Sequence, residues 1–206
     1  MRRVTSAVVV VLVVPVVLAT AGCSGLQGTG DKGYIAGNGQ IAVIEPADRG
    51  EPVELTGESL EGDPVDLADS RGEVTVVNTW WSGCAPCRTE MPMLAQAAKE
   101  TADRATFVGI NIRDNSQAQG LAFQREAGVD YPSIYAPDGR ALLAFTGRIN
   151  LASVPSTVVL DDEGRVAAVI SGPVPGRTTL VDVIDEVVDS DDGTSDSGSG
   201  GGSAGG

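Results

Sequence analysis

Two cysteines, Cys84 and Cys87, stand two residues apart in the stretch VNTWWSGCAPCRTEMP, which runs from Val77 to Pro92. A pair at this spacing could serve as a redox couple, as half of a metal site, or as a structural staple. Zinc takes four ligands. The chain has no histidine, and its third cysteine is Cys23 near the N-terminus, so carboxylates would have to complete a zinc site. A purely structural bridge across so small a loop constrains little of the unfolded chain. The local pattern suits redox chemistry better. The pair follows a short β-branched run, EVTVVNTW, and precedes a run with helical spacing in which Met91, Leu94, Ala95 and Ala98 share a face. Cys84 then falls in the first helical turn, where unpaired N–H groups and the helix dipole favour a thiolate. Cys87 follows one turn later, its sulfur within reach of the first, and Pro86 is compatible with a first turn.

The elements that must hold this pair alternate along the chain. VELTGESLEGDPVDLADSRG reads as two short strands with turns, and EVTVVNTW as a buried central strand. A helix runs from Ala85 to about Asp103, and ATFVGINI is a second buried strand. NSQAQGLAFQREAG is a helix stopped at Gly128, and ALLAFTG is a further short one. STVVLDDEGRVAAVISG reads as a hairpin around Asp-Asp-Glu-Gly. RTTLVDVIDEVV closes the domain as an amphipathic helix with Leu180, Val183, Ile184 and Val187 on one side. Alternating strands and helices, then an antiparallel hairpin and a helix, make an α/β domain with a mixed central sheet flanked by helices.

Composition narrows the function. The 206-residue chain has a net charge of −14, which argues against nucleic acid as a partner. The absence of histidine removes imidazole general bases and His metal ligands.

The first residues read as a targeting segment. Arg2 and Arg3 precede a thirteen-residue apolar run, Ala7 to Ala19, too short to span a bilayer. Small residues then lead to Cys23, with Gly22 before it. This resembles the lipobox of bacterial lipoproteins, although Thr20 stands where Leu is usual; the resemblance implies that Cys23 is lipidated. The expected organisation is a signal peptide over 1–22, a lipidated Cys23 and flexible tether over 23–44, a folded domain over 45–188, and a disordered Gly/Ser/Asp tail over 189–206. The folded domain would lie on the extracytoplasmic face of the bacterial cell membrane.

The domain resembles the thioredoxin-like superfamily, in particular the membrane-anchored ResA/TlpA type of thiol-disulfide oxidoreductase. Val77, Asn78, Trp80, Cys84, Pro86, Cys87, Glu90 and Pro92 match the first family motif. Pro155, Thr157, Leu160, Asp161 and Gly164 match the loop and strand that carry the family's cis-proline. Thr79 and Gly83 depart from it, standing where aromatics are usual, and Trp81 could supply the missing aromatic wall from a neighbouring position.

The resemblance implies a thioredoxin fold with an N-terminal β-hairpin addition. It implies that Cys84 and Cys87 cycle between dithiol and disulfide, that Glu90 accepts a proton, and that a cis Pro155 holds a backbone edge against the sulfurs. Trp80, Trp81 and Val154 are the candidates for lining the substrate groove, the alternative being that one of the two tryptophans belongs to the core. No cofactor or metal is implied. The implied function is reduction of disulfides in apocytochrome c during cytochrome c maturation, with recharging by a membrane electron donor of the CcdA/DsbD kind. The alternative is a general oxidant or isomerase of secreted protein disulfides.

Overall fold

The computed structural model describes residues 40–148 and 153–197. The expected signal peptide, Cys23 and most of the tether lie outside these residues. Among the described residues, eight strands and three α-helices build an α/β domain of the thioredoxin fold. The main sheet has six strands in the order β1-β8-β7-β4-β5-β6. These are β1 (Ile41–Val43), β4 (Val74–Trp80), β5 (Ala105–Asn111), β6 (Ser133–Tyr135), β7 (Ser156–Leu160) and β8 (Val166–Ser171). β4, β5 and β6 run parallel, whereas β7, β8 and β1 are joined antiparallel. The expected N-terminal hairpin is the separate pair β2 (Thr56–Glu58) and β3 (Pro64–Asp66).

β4 is buried along its whole length, as a strand with neighbours on both edges and cover on both faces must be. Alternate residues point to opposite faces. Val74 and Val76 join a core with Leu94 and Ala97 of α1 (Ala85–Glu100) and Leu180, Val183, Ile184 and Val187 of α3 (Arg177–Ser197). Val77 joins the opposite core, closed by Leu67, Leu142 and Phe145. Those three belong to 3-10 helices, Leu67–Ser70 and Arg140–Phe145, so the short helix read at ALLAFTG is of the tighter kind. α2 (Gln117–Glu126) is capped by Ser116, which accepts from Gln119 N, and the chain leaves it through Gly128 at φ 72°.

Two expected boundaries are corrected. β1 lies inside the stretch assigned to the tether: Ile41 and Val43 are buried against β8, and sequence alone offers only three alternating residues there. α3 continues through Ser197, so 189–197 is helical where a disordered tail was expected. A long-range anchor overrides the composition. Buried Arg49 donates to Asp191 at 2.6 Å and to Ser190 Oγ at 2.7 Å, and also to Asp161 at 3.1 Å. A cation otherwise costly to bury thus draws the polar end of the helix onto the domain.

Candidate active site

Cys84 is the N-cap of α1, and its sulfur accepts from Cys87 N at 3.2 Å. The two are joined as a disulfide, with Cα atoms 5.2 Å apart. Cys84 is 6% exposed and Cys87 is fully buried, so an incoming molecule meets Cys84 first. The Arg88 guanidinium donates to Ser82 O and lies 4.4 Å over the Phe123 ring, adding a cation to the same helix end.

Glu90, one turn beyond Cys87, is buried at 4% exposure. Its Oε1 accepts from Asn78 Nδ2 at 3.1 Å and its Oε2 from Val174 N at 3.0 Å. Burial raises its pKa from 4.5 to about 7, against the opposing pull of the Val174 and Asn78 donors. Such a carboxyl can take up or release a proton near neutrality. It lines a cleft of about 440 Å³ with Pro86, Thr89, Met93 and the 173–176 loop, which gives that proton a route to solvent. Tyr131 has its phenol pushed up, by burial first and the Glu90 charge second, and stays protonated.

Pro155 is buried and preceded by a cis bond from Val154. Val154 and Trp81 are half-buried, and both pack on the cluster that holds Cys84 and Cys87. The indole of Trp81 lies against Gly83: a Cβ at Gly83 would meet Trp81 Cζ3 at 2.2 Å. The aromatic lacking before Cys84 is thus replaced from two residues upstream, and only glycine leaves room for it. Trp80 is corrected. It is fully buried, packs 5.8 Å from the Phe123 ring and donates to Ser133 Oγ, so it forms core beneath the cysteines rather than a groove wall. The strand end explains this, because Trp80 is the last residue of β4, which is buried along its whole length, whereas Trp81 lies just past it.

Sequence reasoning gave no role to Asn78, although a polar residue inside an apolar central strand is a visible signal. It bridges Glu90 to Thr157 Oγ1 of β7 at 3.1 Å. Asp114, which binds the loop before Cys84, was missed altogether, and its approach depends on the β4–β5 register.

The Redoxin family model matches residues 46–187. A crystal structure of a DsbF homologue from Corynebacterium diphtheriae is similar at 35% identity and TM-score 0.68, covering 75% of this chain and 98% of that one. A secreted thiol-disulfide isomerase from Corynebacterium glutamicum is similar at 32% identity and TM-score 0.66, covering 76% and 96%. The thiol:disulfide interchange protein HelX of Rhodobacter capsulatus is 37% identical over 130 residues, which are 63% of this chain and 66% of that protein. The chain thus spans just under two thirds of that curated relative's length.

Proposed function

Because the chain belongs to the Redoxin family, and within it to the thioredoxin-like ResA and DsbE type, we propose that it exchanges protein thiols and disulfides through Cys84 and Cys87. The observation that carries this reading is a closed cysteine pair at a helix N-terminus with a buried carboxyl, near-neutral in pKa, one turn further on.

In the reducing direction the Cys84 thiolate attacks one sulfur of a substrate disulfide. A mixed disulfide forms, and the displaced substrate thiolate takes up a proton. Cys87 passes its proton to Glu90 and attacks Cys84 Sγ. The Cys84–Cys87 disulfide closes, the second substrate thiolate leaves, and two electrons have passed to the substrate. The cis Pro155 segment presents a backbone edge to the substrate strand, and Trp81 and Val154 flank it.

The substrate we propose is the disulfide of an apocytochrome c. The protein would act on the extracytoplasmic face of the membrane, anchored through lipid on Cys23 and recharged by a membrane donor of the CcdA/DsbD kind. No helix among the described residues is long and apolar enough to cross a membrane, so retention there would rest on the segment before residue 40. The second reading, a disulfide isomerase of secreted proteins, draws support from the similar Corynebacterium glutamicum protein described as one.

The midpoint potential of the Cys84–Cys87 couple separates the readings. A value well below about −220 mV supports a reductant, and one near about −180 mV or above an oxidant or isomerase. Replacing Cys23 with Ser should release the protein from membranes or block its processing. Normal processing with unchanged retention would remove the lipid anchor from the proposal.

A further inference from the structure

Asp114 is a buried carboxylate, 1% exposed, with no ion-pair partner among the described residues. It is held instead by four donor groups. Ser82 Oγ donates to it at 2.6 Å, Ser82 N at 3.1 Å, Asn111 Nδ2 at 2.8 Å and Gln119 Nε2 at 3.1 Å. Burying a charge without a cation is costly, so the site must satisfy it fully with neutral donors, as this one does. The backbone is bent to bring it there. Arg113 has φ 59°, unusual for a residue with a side chain, and Asp114 N closes a tight turn onto Ile112 O at 2.7 Å.

The carboxylate grips the segment that leads into the redox pair. Ser82 lies in the turn closed by Cys84 N on Trp81 O at 3.1 Å, and Arg88 holds the Ser82 carbonyl from the other side. Gln119 of α2 also donates to Ser82 Oγ, at 2.9 Å. Ser82 is therefore fixed at N–H, hydroxyl and carbonyl, two residues before the attacking sulfur.

We propose that Asp114 is the positioning residue of the redox pair: through Ser82 it fixes the Trp81–Cys84 turn, and with it the placement of Cys84 at the helix N-terminus and of the Trp81 indole beside it. It touches neither substrate nor sulfur and acts through Ser82. The inference rests on the proposed thiol-disulfide chemistry only for its use, because the placement can be read on the free dithiol.

The test is the pH profile and rate of Cys84 alkylation by iodoacetamide in the reduced protein, with far-UV circular dichroism to confirm folding. Asp114→Ala should slow alkylation at neutral pH about tenfold and move its pH midpoint upward, as the thiolate loses its place at the helix end. Asp114→Asn should stay within about twofold of the parent, because its amide oxygen still accepts from Ser82 and Asn111 can turn its own unpartnered Oδ1 toward the new N–H. Ser82→Ala, which removes the hydroxyl bonds to Asp114 and Gln119 at a half-buried position but keeps the Ser82 N–H bond to Asp114, should slow alkylation about threefold and covers the case in which Asp114→Ala fails to fold. A folded Asp114→Ala or a Ser82→Ala with the parent's profile overturns the proposal. So does an Asp114→Asn as impaired as Asp114→Ala, since charge and not grip would then be at work. A parent protein that fails to exchange disulfides yet shows these shifts would sink the functional reading alone.

Discussion

Asn78 Nδ2 donates to Glu90 Oε1 at 3.1 Å beneath the cysteine pair, while Asn78 Oδ1 has no partner among the described residues. The amide as placed serves the ionised carboxylate. A protonated Glu90 would instead need an acceptor, and rotation of the same amide supplies one. The pair is thus a contact between the central strand and α1 that can be satisfied in either protonation state of Glu90.

The raised pKa of Glu90 makes stability depend on pH. Its folded value of about 7 exceeds the ordinary 4.5, so the folded protein holds the proton more tightly. The contribution is fully present below 4.5 and is lost as pH rises through about 7. The whole swing is about 3 kcal/mol. Glu90→Gln should match the oxidised parent near the acid end of this window and gain on it as pH rises, by up to about 3 kcal/mol above neutrality. Urea unfolding at several pH values measures this; parallel curves for the two proteins would show that Glu90 is not desolvated as described.

Much of this site could be read from the sequence because its parts are local. The cysteines, Pro86 and Glu90 belong to one strand-to-helix segment, and helical spacing alone sets Glu90 one turn beyond Cys87. What could not be read depends on contacts between distant segments. Neither the Val174 donor to Glu90 nor the grip of Asp114 on Ser82 leaves a periodic trace. Which of the two adjacent tryptophans is core cannot be read from spacing, because it depends on where β4 ends, and that end separates them into core and rim. The helical 189–197 segment was hidden for the same reason: its anchor, Arg49, is more than a hundred residues away.

That anchor has measurable energetics. Arg49→Ala removes the guanidinium bonds to Asp161, Ser190 and Asp191 from a buried site and should cost about 3 kcal/mol. Deleting 189–206 keeps the Arg49–Asp161 pair and loses the Ser190 and Asp191 bonds, so it should cost less, about 1–2 kcal/mol. Chemical denaturation of the two variants gives the order. If the deletion proved the more harmful, the C-terminal end of α3 would be held by more than Arg49.

The assignment of attacker and resolver follows from exposure and position. Cys84 is the slightly exposed helix cap, whereas Cys87 is fully buried. Cys87→Ser should therefore accumulate mixed disulfides with the natural partner, released by reductant, and Cys84→Ser should trap few or none. Mass spectrometry of the trapped partner also separates an apocytochrome c from a spread of secreted proteins. A better trap with Cys84→Ser would exchange the two roles.

The contact of Trp81 with Gly83 allows the groove wall to be tested without touching a sulfur. Gly83 lies outside the left-handed region, so Gly83→Ala adds no left-handed strain; the new Cβ meets the indole at 2.2 Å and must displace it. If the indole flanks a bound substrate strand, Gly83→Ala and Trp81→Ala should both slow exchange with a peptide disulfide, by roughly three- to tenfold for a lost aromatic contact. Reduction of a small aromatic disulfide, which needs only the sulfur, should stay near the parent rate. Iodide quenching provides an independent check, because Trp80 is buried and only Trp81 is open to quencher. Quenching should rise in Gly83→Ala as the ring is pushed outward. Equal losses toward the peptide and the small disulfide would place the effect on Cys84 itself and remove Trp81 from the groove.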